Sequence, residues 1–323
     1  MRAIRMLCTL MSCLVVPLGV ASLSQGGPSP ISEEAAIAAY AKAAKVLLID
    51  QAGEKPTVSK AEARTSEFTT RVGSVRKVRS RVLSVDVDAF SGKIVRLQNE
   101  QAWERSSARA ETARQEGKGI GPTRTPKQIL DAAENYCRAL GQNLTPDLGL
   151  RIMEFDDKWG CWVLGWVRRV NGYLFDEEYI SIHIEDQTGG LVLYNSRVTQ
   201  ITCNAEVRVP KDKALAIARD YMAKILPNLV GNQPYKFDPV EDPELGIVYV
   251  NDFFKRVEAF VEGTAPPEEL LPSPEESVPP RARLVYAIRF EFSYVGKEKV
   301  HRILGPVTVC VDAANGEIVG GLM

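Results

Sequence analysis

The sequence predicts an α+β protein assembled from repeated two-layer units, each a helix packed on a three- to four-stranded antiparallel meander. Three observations predict it. One turn signature occurs three times, over Val87–Val95, Ile184–Val192 and Val311–Val319: apolar, acid, two residues, Ser/Thr/Asn, Gly, any residue, Ile/Leu, Val. Ahead of each signature apolar residues alternate with period two, at Leu83, Val85 and Val87, at Ile180, Ile182 and Ile184, and at Val307, Val309 and Val311. Such alternation places one strand face on a core. Each unit also opens with an amphipathic helix that carries a tyrosine late in its length: Tyr40, Tyr136 and Tyr221.

The elements follow in order. Arg2 and Arg5, the apolar run Met6–Val20 and the small residues Ala21, Ser22 and Ser24 have the layout of a cleaved secretory signal, assigned to residues 1–24. The run is broken by Pro17 and is too short to span a bilayer. It continues past Cys13, which speaks against a lipoprotein anchor. Unit 1 covers residues 25–98, with Ser32 as N-cap, Glu33 and Glu34 in the first turn, and an apolar face of Ile37, Tyr40, Ala41, Ala44, Leu47 and Leu48. A polar linker or solvated helix fills 99–124. Unit 2 covers 125–205, with Thr125 as cap and Pro126 at the first helical position, and with Asn171-Gly172 as a hairpin signal. Gly73 and Gly296 are the matching hairpin glycines of the other units. Unit 3 covers 206–323. Its helix starts near Pro210, and an insertion at 227–282 contains an exposed Pro/Glu-rich loop at 264–280. In the turns, glycine supplies positive φ and the acid a backbone-bonding side chain, so Asp88, Gly92, Glu185, Gly189, Asp312 and Gly316 form a structural turn motif.

The composition narrows function further. Of 323 residues 45% are hydrophobic and 25% charged, with a net charge of −1: an ordinary folded chain with no global field to recruit nucleic acid. Two histidines, with no G-x-S-x-G and no H-E-x-x-H, leave no catalytic residue to assign, and no cofactor or metal is expected. His183 reads as a surface histidine on the polar strand face. Once the signal is removed Cys137, Cys161, Cys203 and Cys310 remain. They allow three pairings in an oxidising compartment, and one disulfide or none is expected.

Two features stand out as candidate partner-binding residues. Arg76, Lys77, Arg79 and Arg81, with Arg71, place positive charge on a strand read as an exposed edge. Trp162 and Trp166 share one strand face with Leu164. They read as core beneath the helix or, if exposed, as an aromatic platform.

The capped helix, the strand Val285-Tyr286-x-Ile288, a glycine turn, and Val309-x-Val311-Asp312-Ala313-x-Asn315-Gly316-Glu317-Ile318 together resemble the PepSY domain of secreted bacterial proteins. The third unit is the nearest to the pattern. The second has Glu185 where aspartate is usual, and the first departs most. The resemblance implies a secreted or periplasmic, non-catalytic protein that binds a protein partner such as a secreted peptidase, since PepSY domains restrain peptidases and carry no catalytic residues. Two rival readings stand beside it, a structural cell-envelope scaffold and a hydrolase whose site shows no motif.

Overall fold

A computed structural model describes residues 29–50, 54–65, 71–199, 201–230, 235–254, 281–294 and 306–322. The expected signal segment 1–24, the Pro/Glu-rich loop 264–280, the hairpin glycine Gly296 and His301 lie outside the described residues. The chain begins with α1 (Glu33–Val46), followed by β1 (Thr57–Val58), β2 (Glu62–Thr65), β3 (Arg71–Arg79), β4 (Leu83–Asp88) and β5 (Ile94–Asn99). Next come α2 (Glu100–Gln115), α3 (Pro126–Ala139), β6 (Leu148–Asp156), β7 (Cys161–Val170), β8 (Tyr173–Glu185) and β9 (Leu191–Arg197). The last part holds α4 (Lys211–Val230), β10 (Tyr235–Pro239), β11 (Glu244–Tyr249), β12 (Ala282–Tyr294), β13 (Val307–Asp312) and β14 (Ile318–Leu322). The class is α+β, and the strand pairs are antiparallel. Among the described residues no helix is long and apolar enough to cross a membrane.

The strands form two sheets. In the first the order is β1-β3-β4-β5-β9-β8-β7-β6, with β2 also on β3; in the second it is β10-β12-β13-β14, with β11 also on β12. The meanders of 25–98 and 125–205 are therefore not separate layers. They join where β5 pairs β9, Leu97 opposite Tyr194, and α1 and α3 share one core over the combined sheet. That core takes Tyr40, Ala43 and Ala44 from α1, Ile129, Ala133 and Cys137 from α3, and the alternating set Ile180, Ile182 and Ile184 from β8. A second core lies between α4 and the second sheet and also takes Val170 and Phe175 from the far end of β7 and β8.

Local chemistry accounts for the helices. In α3 Thr125 and Gln128 form a reciprocal capping box with Pro126 in the first turn, which satisfies N–H groups that have no intrahelical partner. In α1 the Ser32 hydroxyl accepts from the Ala35 N–H at 3.2 Å. Its buried face is Ala36, Tyr40, Ala43 and Ala44, one step round from the face expected, and Ile37 and Leu48 are exposed. Alanines let α1 sit close to the sheet, so the larger aliphatics turn outward.

Three further expectations are corrected. Gly73 is not a hairpin turn: it lies inside β3 opposite Arg64, and the turn between β3 and β4 is made at Ser80, whose hydroxyl accepts from Val82 and Leu83 N–H. The strand carrying the basic cluster is not an open edge, since β1 and β2 pair along it. The segment 99–124 holds a helix, as one of its two readings has it, but the helix is docked and not merely solvated. Asn99 caps α2, which docks through the small side chains Ala102, Ser106 and Ala110. A search for large apolar residues at helical spacing passes over such a face.

The three glycine turns share one hydrogen-bond pattern. The N–H groups of Gly92, Gly189 and Gly316 donate to the carbonyls of Asp88, Glu185 and Asp312 at 3.0, 2.9 and 2.9 Å. The N–H groups of those acids donate to Lys93, Gly190 and Glu317, each at 2.8 Å. The glycines have φ of +70°, +73° and +81°. Gly92→Ala is expected to cost about 1 kcal/mol from backbone strain alone, because no atom lies within 4 Å of the added Cβ. Gly316→Ala is expected to cost more, because Ile217 Cδ1 would stand at 3.0 Å from that Cβ. Urea unfolding of the two variants checks the order.

Candidate functional site

Each turn acid has a local role. Asp88 Oδ1 accepts from Phe90 and Ser91 N–H at 3.2 and 2.7 Å, and Asp312 Oδ1 accepts from Ala314 and Asn315 N–H at 2.7 and 3.2 Å. The longer Glu185 takes the Thr188 hydroxyl at 2.6 Å and an ion pair from Arg105 at 2.9 Å. The carbonyl of the following residue then receives the chain that leads into a helix. Ala89 accepts from Ile31 N–H at 2.7 Å and Ala313 from Val209 N–H at 2.9 Å. In the middle copy Asp186 takes this place, and its carbonyl accepts from Arg124 Nε at 2.9 Å.

Asp186 is the largest feature that sequence reasoning missed. Its side chain is fully buried and gathers donors from three elements: Thr123 N–H and hydroxyl, Arg124 N–H, the Trp162 indole at 3.0 Å, and Arg109 of α2 at 3.1 Å. Burial raises its pKa, but the Thr123, Trp162 and Arg124 hydrogen bonds overcome this and hold the carboxyl at about 2. The available signal was the single departure at this position, Ala89, Asp186 and Ala313 across the three copies.

A second buried network joins the sheets. Glu178 is 0% exposed. It accepts from Arg168 Nη1 at 2.6 Å, the Tyr249 hydroxyl at 2.6 Å, Thr199 N–H at 3.0 Å and the Thr199 hydroxyl. Arg168 also pairs with Asp147 at 2.8 Å, and Glu177 accepts from Tyr249 N–H at 3.0 Å. Glu177 and Glu178 lie on β8 of the first sheet and Tyr249 on β11 of the second.

The candidate partner-binding residues are placed as follows. Arg76 donates to the carbonyls of Ile31 and Ser59 at 2.8 and 3.1 Å. Lys77 pairs with Glu62, Arg79 with Asp86, and Arg81 with Glu54 at 3.7 Å. Lys77, Arg79 and Arg81 are thus compensated by carboxylates, which the linear sequence does not reveal. Trp162 and Trp166 are 6% and 4% exposed and belong to the first core, so neither presents a ring face to a partner. Trp103 and Trp159 stack instead, with centroids 4.8 Å apart. His183 is half-buried between Val163 and Leu193, and burial lowers its pKa. Cys137, Cys161, Cys203 and Cys310 are free, and burial raises the thiols of Cys137, Cys161 and Cys310 to about 12. Among the described residues no three His, Cys, Asp or Glu side chains gather to hold a metal ion.

Among the described residues, two open surfaces bear on binding. The first is the outer edge of β6, the last strand of its sheet, where Leu150 and Ile152 are 41% and 47% exposed. The second is a cleft of about 440 Å³ between α1, the turn at Gly92 and the end of α3. No protein-family model matches the chain, and no curated protein matches it.

Proposed function

We propose that the chain is an exported, non-catalytic binding protein built on three PepSY-like units, which holds a secreted peptidase or another envelope protein. The observation that carries this reading is the open edge of β6, which spans Leu148–Asp156. An unpaired strand edge is a row of N–H and C=O groups that an extended segment of a partner completes as an added strand. Leu150 and Ile152 supply exposed apolar contact there. The common pattern of the three glycine turns supports repetition of one unit. The use of Asp186, Glu178 and Arg168 as ties between elements supports binding over chemistry, because a catalytic group must be left open to substrate.

Mixing the purified protein with a thermolysin-type peptidase is expected to give an inhibitory complex in the micromolar range or tighter. Ile152→Lys, which places a charge on the edge, is expected to weaken it at least tenfold while changing stability by about 0.5 kcal/mol or less. Absence of both complex and inhibition at about 10 μM would remove the peptidase as partner. A complex unaffected by Ile152→Lys would remove the edge as its site.

A further inference from the structure

Charge is compensated unevenly over this surface. Lys77, Arg79 and Arg81 of the basic cluster are paired with carboxylates, whereas Lys42 and Lys93, far apart in sequence, line the same cleft between α1 and the end of α3. Neither side-chain ammonium has an ion-pair or hydrogen-bond partner among the described residues. No carboxylate lines the cleft. One wall is apolar: Ala35, Ala38 and Ala39 lie within one turn of α1, and Ile94 and Leu140 line the same cleft. Two cations beside one volume repel each other, and an anion placed between them relieves the repulsion. The apolar wall asks for more than a bare inorganic ion.

Lys93 and Gly141 also line a second cavity of about 310 Å³, together with the polar residues Gln142, Asn143, Thr145 and Thr199. There Arg168 and Asp147 offset one another at 2.8 Å, so the demand for negative charge lies in the first cavity. Neutral donors and acceptors in the second suit a peptide backbone.

We propose that this cleft binds the C-terminal end of a peptide, with the terminal carboxylate between Lys42 and Lys93, an apolar last side chain against the α1 alanines, and the preceding residues in the second cavity. The assignment deepens the protein-binding reading given above and names a second point of contact, separate from the β6 edge.

The test uses acetyl-Gly-Ala-Ala-Leu with a free carboxylate, the same peptide as its C-terminal amide, and inorganic phosphate, each titrated into the full chain by calorimetry. The free acid is expected to bind at least tenfold more tightly than the amide or phosphate. It should weaken at least tenfold in Lys42→Met/Lys93→Met and also weaken between 50 and 500 mM salt (roughly a threefold change in screening length). Both lysines lie at the surface, so the double variant should keep the parent melting curve, which separates lost binding from lost folding. Equal binding of acid and amide, equal binding of phosphate, undiminished binding by the double variant, or no binding of the acid would each overturn the proposal. Ile152→Lys should leave peptide affinity unchanged, so failure at the β6 edge and failure at the cleft are read independently.

Discussion

Asp186→Ala is expected to lower the unfolding free energy by about 3–5 kcal/mol, the range found when one member of a buried, hydrogen-bonded charge network is removed. The lost carboxylate leaves the Trp162 indole and the Thr123 and Arg124 N–H groups without their acceptor. It also leaves Arg109, whose side chain is 21% exposed, without its counter-charge. Each stranded neutral donor costs about 1–3 kcal/mol if water does not reach it, and water reaches some of them, which keeps the total below the simple sum. Helix α2 should loosen first, because Arg109 and Arg105 tie it to the turn through Asp186 and Glu185. Hydrogen exchange over 100–115 should therefore rise more than over α3. Asp186→Asn keeps the shape and one acceptor, and is expected to cost about half as much.

Acid provides an independent readout of the same residue. The carboxyl sits at about 2 in the folded chain, against 3.8 for an ordinary aspartate. The folded state therefore holds this proton more weakly than the unfolded state. Its contribution, about 2 kcal/mol, is complete above the unfolded value and is lost as pH falls from about 4 to 2. The gap in stability between the parent and Asp186→Asn should accordingly narrow over that interval and stay constant from pH 5 to 7. A gap independent of pH down to 2 would show that the network acts through shape and not through charge.

Strand faces and, apart from Gly73, the glycine turns among the described residues were legible in the sequence because they depend on neighbours a few residues apart. Period-two alternation at Ile180, Ile182 and Ile184 identified a buried face, and Asn171-Gly172 gave a turn with φ of +52° and +86°, as that pair commonly does. What was not legible depends on distant partners. Nothing local tells β5 to pair β9 and merge two meanders. Nor does a run of basic residues announce that Glu62, Asp86 and Glu54 will pair with Lys77, Arg79 and Arg81. The α2 segment was hidden for a different reason: it docks with alanine, serine and arginine, and hydrophobic patterning sees only large apolar side chains. The cleft lysines were invisible because a spacing of this kind acquires meaning only after α1 and the Gly92 turn are packed together.

Glu178→Ala is the second large effect, and it should reveal how the two sheets are coupled. The carboxylate holds Arg168, Thr199 and the Tyr249 hydroxyl at once, and Arg168 in turn donates to the carbonyls of Thr199 and Ile201 at 2.9 Å, on the connection from β9 to α4. Removing it strands a guanidinium that is 9% exposed, with Asp147 as its remaining carboxylate partner; the expected loss is again about 3–5 kcal/mol. Tyr249→Phe removes one hydroxyl and keeps the ring against Phe175, whose centroid is 4.9 Å away, so about 1–2 kcal/mol is expected. The two substitutions share one contact, and in a double-mutant cycle their costs should fall short of additivity by about 1 kcal/mol. Because the network links β8 to β11, Glu178→Ala should also split calorimetric unfolding into two steps, the second sheet melting ahead of the first. The first sheet is expected to outlast it because its core draws on two helices, α1 and α3, and two fused meanders. A single, uniformly lowered transition in Glu178→Ala would mean instead that the apolar contact of Val170 and Phe175 with the second core is enough to keep the sheets cooperative.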